Sequence, residues 1–317
     1  MADALVDRLD RAIDLVLSGR DATAALADAE LSPLAVLASE LRWCPSVAFK
    51  ARLRADLERR VAMSMVLEKA ETREGFTTVT PYLRVRDAGL LDFLTAVFGA
   101  TETSVTRTGG GVRREVRVGD SMLVIGEGGP EGDLPFSPAT FHVYVPDVDA
   151  AFSRAMAAGA KSLGVPEDRP YGERAGFVED TFGNHWYIAT HLGPTPVPQG
   201  FHTVTPFLHP RGVPSYIDFL KEAFGAVEAF RYEAKGVVVH ARLTIGSGAI
   251  EMGDTEGRAE PMKTAFVLAV ADCDALYRQA VSAGATPLSP PADQGNGDRV
   301  GSVQDAMGIT WYIARPA

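Results

Sequence analysis

Cysteine is nearly absent from this chain. Its 317 residues include two, Cys44 and Cys273, far apart and in no Cys-x-x-Cys pair, which excludes a disulfide framework and a thiolate zinc site. Histidine is scarce too, with six in all. No stretch approaches the roughly 18 consecutive apolar residues of a membrane helix. The N-terminus, Met-Ala-Asp-Ala-Leu-Val-Asp-Arg, lacks the basic-then-apolar pattern of a secretory leader. There is no Gly-x-Gly-x-x-Gly, P-loop, Gly-x-Ser-x-Gly or His-Glu-x-x-His. Gly109-Gly110-Gly111 precedes a strand pattern and reads as a loop, not a phosphate cradle. Positive charge is not in excess: the net charge of −10 disfavours nucleic acid and anionic membranes as partners. These absences predict a soluble cytoplasmic protein, and a hydrophobic content of 46% is ample for a packed core.

What the chain does have is a repeat. GFTTVTPYL at 75–83 returns as GFHTVTPFL at 200–208, an offset of 125. Asp147-Val-Asp-Ala returns as Asp272-Cys-Asp-Ala, AAGAKSL at 157–163 as SAGATPL at 282–288, and YGERAGFVEDTFGNHWYIA at 171–189 as NGDRVGSVQDAMGITWYIA at 296–314, all at 125. A constant offset over separate blocks means a duplicated domain. Between the copies, GPTPVPQG at 193–200 carries three prolines at alternate positions, the mark of a stiff extended linker. The repeats are therefore 75–192 and 200–317.

Each repeat has an inner rhythm. Thr77–Val85 alternates as a strand, and Asp87–Phe98 carries Leu90, Leu91, Phe93, Leu94 and Phe98 at helical spacing before Gly99. Val112–Val118 and Met122–Ile125 flank Gly119-Asp120-Ser121 as a hairpin. The pattern restarts with a strand at Phe141–Val145 and a helix at Val148–Ala158. It finishes with strands around Asp180–Gly183. This predicts an α+β protein in which a βαβββ unit is used four times, two units per repeat.

Residues 1–70 read differently, as an N-terminal helical module. Leu5, Leu9, Ile13 and Leu17 share one face, Ser32-Pro33 is a helix start, and Ser46 caps a helix with Phe49, Leu53, Leu57 and Val61 inward. Arg52, Arg54, Arg59 and Arg60 form a solvated face interleaved with Asp56 and Glu58. The module is a candidate for protein contact or self-association.

The repeated blocks GF-x-TVTP-[YF]-L, FGA, D-x-DA, AGA and G-[ED]-R-x-G-x-x-x-D-x-x-G-x-x-W-Y-I-A resemble the vicinal oxygen chelate superfamily, its PhnB-like and glyoxalase-like branch, over about 240 residues. The resemblance is specific for fold but less so for chemistry, because isomerases, lyases, dioxygenases, thiol transferases and pure binders share it. It implies a concave sheet in each repeat. The first cup would be lined by Thr78 or Thr80, Tyr82, Val124, Phe141 and Tyr187, and the second by Thr203 or Thr205, Phe207, Glu251, Phe266 and Tyr312. Arg114 would be the one cation of the first cup. Arg174 and Arg299 would bind an anionic ligand or pin a loop. Trp186 and Trp311 alternate with Tyr187 and Tyr312, so one ring of each pair faces the helices and the other the cup.

Metal-dependent members hold a divalent ion with His and Glu from four strands. Here those positions fall on Thr80, Val124, Phe141 and Tyr187, and on Thr205, Glu251, Phe266 and Tyr312. Only Glu251 is a competent ligand, and one carboxylate does not hold such an ion. If the second hairpin turns at Gly246-Ser247-Gly248, Glu251 lies opposite Leu243 and His240 points to the other face. His142, beside Phe141, is one residue out of register, and His202 and His209 lie nearby in sequence. The expectation is metal-independent binding of a small hydrophobic or aromatic molecule, with no cofactor. The alternatives are a glyoxalase-like lyase or isomerase using Glu251 or an unrecognised metal site, and a regulatory or scaffold protein.

Overall fold

The structure is a computed structural model that describes residues 7–8, 11–15, 51, 54, 73–108, 111–128, 138–255 and 261–317. The chain divides into two compact units, Met1–Val66 and Leu67–Ala317. In the first, residues 7–8, 11–15, 51 and 54 are helical. Ala12 and Ile13 are buried there, and Arg54 meets Asp14 at 3.4 Å. The expected stripe of Phe49, Leu53, Leu57 and Val61 lies outside the described residues.

The second unit holds four βαβββ units. The first is β1 (Val79–Val85), α1 (Gly89–Phe98), β2 (Thr101–Thr108), β3 (Gly111–Val118) and β4 (Ser121–Glu127). The second is β5 (Thr140–Tyr144), α2 (Val148–Ala157), β6 (Lys161–Arg169), β7 (Glu173–Glu179) and β8 (His185–His191). The third is β9 (Val204–Leu208), α3 (Val213–Phe224), β10 (Val227–Ala234), β11 (Val237–Ile245) and β12 (Gly248–Met252). The fourth is β13 (Ala265–Ala269), α4 (Cys273–Ser282), β14 (Thr286–Asp293), β15 (Arg299–Gln304) and β16 (Thr310–Arg315). Among the described residues, no helix is long and apolar enough to cross a membrane.

The expectation that each repeat closes its own sheet is corrected. One eight-stranded sheet runs β14-β15-β16-β13-β1-β4-β3-β2, and the other runs β10-β11-β12-β9-β5-β8-β7-β6. Units one and four therefore share a sheet, and units two and three share the other. We call these the one–four and two–three sheets. Their central seams are antiparallel pairs between repeats, β1 with β13 and β5 with β9.

The core of repeat one is drawn almost wholly from its own residues, with Val204 of β9 the one buried member from repeat two. In repeat one, Leu90, Phe93, Leu94 and Val97 of α1 meet Ala151 and Ala155 of α2, together with Leu83, Ile125, Val143 and Ile188 from both sheets. Trp186 is fully buried, 4.8 Å from the Phe141 ring and 5.3 Å from Phe98. Trp311 repeats this against Phe266 at 4.9 Å and Phe224 at 4.6 Å. Burying an indole of this size contributes about 4–6 kcal/mol of apolar transfer. Each indole N–H donates to a buried aspartate, Asp180 or Asp305, at 2.9 Å. The same aspartates take backbone N–H groups of the turn they open. The shared D-x-x-G-x-x-W motif is thus a turn that also pins the core tryptophan.

The other repeated motif is structural as well. Asp147 and Asp272 cap α2 and α4, each accepting an N–H at 2.9 Å. Two residues on, Asp149 and Asp274 each receive a two-pronged contact from Arg174 (2.7 and 2.8 Å) and Arg299 (2.6 and 2.9 Å). Asp168 and Asp293 occupy the remaining prongs. The two arginines clamp a helix start to a strand, so neither is offered to an anionic ligand, and the pinning alternative is the one the geometry fits.

The repeats grip each other by reciprocal turns. Thr203 N–H donates to Asp120 at 2.7 Å and Val204 N–H to Ser121 Oγ at 2.9 Å. From the other side, Thr78 N–H donates to Ser247 Oγ and Ser247 N–H to Thr78 Oγ1, both at 3.0 Å. Gly119 and Gly246 have φ of 58° and 54°. A Cβ on either would lie 2.3 Å or 2.2 Å from the facing threonine hydroxyl. Both position and conformation therefore demand glycine.

Candidate functional site

Among the described residues, each sheet has one face against α1–α4 and one free of these four helices. Three expected site residues lie on the wrong side, all by one residue. Phe141 and Phe266 stack on Trp186 and Trp311 in the core. Their neighbours His142 and Val267 take the helix-free face, paired with Tyr187 and Tyr312. Arg114 sits opposite Ile125 on the core side, bound to Glu102 and to Glu127. Arg113 and Glu115 take the helix-free side, with Glu115 opposite Val124.

The hairpins explain the shift at Arg114. Val118 pairs with Ser121 and Ile245 with Gly248, so the turns are the two-residue Gly119-Asp120 and Gly246-Ser247. A three-residue turn would flip every side chain to the other face. In the two-residue register Glu251 pairs with Arg242, not Leu243, and His240 shares its face. The expected separation of His240 from Glu251 is thus corrected.

On the two–three sheet the helix-free face is built around the seam. His142 of β5 pairs with Thr205 of β9 across the repeats, and Glu251 of β12 pairs with Phe207. Glu251 and His142, 1% and 7% exposed, meet at 3.0 Å between Oε2 and Nδ1. The other oxygen of Glu251 meets His240 Nε2 at 2.8 Å. The Tyr144 hydroxyl donates to Glu173 Oε1 at 2.7 Å, and Glu173 Oε2 lies 3.7 Å from His142 Nε2. His142 is walled by the rings of Tyr144 at 4.4 Å and Tyr187 at 4.9 Å. Phe201, held under the Arg242 guanidinium at 4.5 Å, and Val197 of the linker pack on Tyr144 and Ala189. The linker thus forms a wall of this face. The Tyr187 hydroxyl meets Tyr171 at 2.6 Å.

Burial pushes the Glu251 carboxyl up, but His142 and His240 outweigh it and leave it at about 2. Glu251 is therefore held ionised, which does not suit the proton-transfer role that the lyase or isomerase alternative gives it. Burial pulls His142 down, but Glu251 first and Glu173 next carry it above the ordinary imidazole value. Burial and the bond to Glu173 raise Tyr144, which stays protonated.

The one–four face is apolar at the same places. Thr80 pairs with Val267, and Tyr82 with Val124. The rings of Tyr82 and Tyr312 meet edge to face at 5.4 Å. Its carboxylate, Glu115, is held by Arg73 and Arg113 at 2.6 Å each. Sequence reading set His142 and His240 off this face and missed Glu173, Tyr144 and Glu115. The alternation in Thr140-Phe-His-Val-Tyr144, apolar at 141 and 143 and polar between, was the available signal.

The chain matches the model of the Glyoxalase/Bleomycin resistance protein/Dioxygenase superfamily twice, over residues 82–188 and 208–313. It belongs to that superfamily. Uncharacterized proteins of Mycobacterium bovis and Mycobacterium tuberculosis are 32% identical over 122 residues, which is 35% of this chain and 80% and 72% of theirs. Glyoxalase I from Zea mays has a similar fold, with TM-score 0.60 and 15% identity over 75% of this chain and 92% of that one. So does a putative dioxygenase from Bacillus subtilis, with TM-score 0.51 and 17% identity over 74% and 84%.

Proposed function

We propose that the helix-free face of the two–three sheet binds a small, largely aromatic molecule without a metal ion, in the cytoplasm. The observation that carries this reading is the state of Glu251. At the four strand positions where metal-dependent members place donors, this face has Thr205, Glu251, His142 and Tyr187, and the one–four face has Thr80, Val124, Val267 and Tyr312. Two donors of four fall short of what Zn²⁺, Mn²⁺ or Ni²⁺ want. Among the described residues, no three His, Cys, Asp or Glu side chains form a set able to hold an ion. The two donors present are bound to each other, and the second oxygen of Glu251 is taken by His240. The residues therefore do not fit a divalent metal. Their aromatic surround, Tyr144, Tyr187, Phe201 and Phe207, suits a flat ligand.

A lyase or isomerase using Glu251 as general base is the weaker reading. A carboxyl held at about 2 with both oxygens engaged is a poor proton acceptor near neutrality. Calorimetric titration of metal-free protein with Zn²⁺, Mn²⁺, Ni²⁺ and Fe²⁺ tests the proposal, beside a thermal-shift screen of aromatic compounds. Expected are no stoichiometric metal and at least one stabilising aromatic compound whose effect Phe207→Ala removes. One equivalent of metal bound at micromolar affinity would overturn it.

A further inference from the structure

We infer that this face recognises a hydroxyl group on its aromatic ligand, taken between His142 Nε2 and Glu173 Oε2. The inference rests on the binding reading above and names the ligand's polar anchor. The buried chain His240–Glu251–His142 uses one nitrogen of His142, and Tyr144 uses one oxygen of Glu173. The two atoms left over, His142 Nε2 and Glu173 Oε2, are both buried and have no hydrogen-bond partner. They face each other at 3.7 Å, too far for a bond of their own. Leaving such atoms unsatisfied is costly, and native proteins do so where another group completes the site.

The chemistry of the gap selects the group. With Nδ1 against the Glu251 carboxylate, a protonated His142 presents an N–H from Nε2. Glu173 Oε2 presents a lone pair, since Tyr144 donates only to Oε1. The missing partner must accept from one and donate to the other while lying about 2.8 Å from each. One hydroxyl oxygen does both. An ether or ketone oxygen only accepts and leaves Glu173 unpaired. An ammonium only donates and opposes the imidazolium. A carboxylate is repelled by Glu173. The walls next to this point are the rings of Tyr144, Tyr187 and Phe201, which places an aromatic carbon behind the hydroxyl. The predicted class is a phenol or hydroxyarene. Val197 of the largely exposed linker and Phe201 just after it border this point on the solvent side. On the one–four face Val267 stands where His142 does, and its carboxylate Glu115 is engaged by Arg73 and Arg113, so the described residues form no such anchor there.

The test uses the full chain and three probes: 2-naphthol, 2-methoxynaphthalene and naphthalene-2-carboxylate. By calorimetry near pH 6.5, 2-naphthol is expected to bind at least about tenfold more tightly than either of the others. Glu173→Leu should erase that advantage while leaving 2-methoxynaphthalene unchanged. Because this variant removes a buried partner of Tyr144, a second measurement on the unaltered protein stands beside it. The ring nitrogen signals of isotope-labelled His142 should move with 2-naphthol and not with its methyl ether. Equal affinities for 2-naphthol and its ether, both lost in Phe207→Ala, would overturn the hydroxyl anchor and leave the binding reading standing. A preference for 2-naphthol that leaves the His142 signal unmoved would overturn the anchor as well. No binding of any probe at millimolar concentration, together with a silent aromatic screen, would sink both.

Discussion

The two sheets have the same topology, the same seam and the same clasping turns, yet their helix-free faces differ where chemistry would happen. Val267 and Val124 on the one–four sheet stand where the two–three sheet has His142 and Glu251. The valines need only packing. The His–Glu pair needs a balanced set of charges, supplied by His240 and by the Tyr144–Glu173 pair beside it. A strand position can therefore change from apolar to ionic only if several neighbours change with it. One fold here supports a plain face and a charged one.

The largest test of this contrast is to make the faces alike. His142→Val alone should cost about 4 kcal/mol, because it leaves Glu251 buried with half its partners. His142→Val with Glu251→Val should cost much less than twice that in denaturant unfolding, since both charges leave together. Strict additivity would show that the pair is not coupled.

The pH dependence follows next. Glu251 has its pKa depressed from 4.5 to about 2, so its contribution is present above pH 4.5 and is lost as pH falls towards 2. The lost stability is about 3 kcal/mol by linkage. His142 is raised, so its contribution is whole below 6.5 and fades as pH rises through its higher folded value. Thermal melts should show a plateau between those limits. In the double-valine variant both limbs should flatten, and unchanged limbs would assign them to other groups.

The clasps, by contrast, should respond equally in both sheets. Gly119→Ala and Gly246→Ala each force a Cβ against a threonine hydroxyl at positive φ. Each should lose about 2 kcal/mol, and a difference of more than about 1 kcal/mol would show that the two seams are not equivalent. The smallest effect is expected for Tyr144→Phe, which removes one buried donor to Glu173 and should cost about 1 kcal/mol.

The repeat, its four units and the core tryptophans were legible from the offset of 125 and from apolar spacing, because cores obey periodicity. Face assignment was not, because it depends on turn length. Reading Gly119-Asp120 and Gly246-Ser247 as two-residue turns, with glycine first and at positive φ, would have moved Arg114 off the cup to the core side and brought His240 beside Glu251. The meeting of His142 with Glu251 needed one further fact that local patterning does not carry. Strands 109 residues apart belong to one sheet. Glu173 and Tyr144 were silent for the same reason, since each is ordinary in its own strand and meaningful only beside the imidazole.

Sheets that each take one unit from each half have a consequence for inheritance. Were the halves separate, identical chains pairing by two-fold symmetry, any substitution would appear on both faces at once. Position 142 could not become histidine on one face while its counterpart stayed valine. Joined in one polypeptide, positions 142 and 267 are separate codons, and so are 251 and 124. One face is free to drift or to specialise while its twin preserves the shared architecture. The proline-rich stretch from 193 to 200 joins these two independently coded copies, and through Val197 it also helps to wall the face that carries the charges.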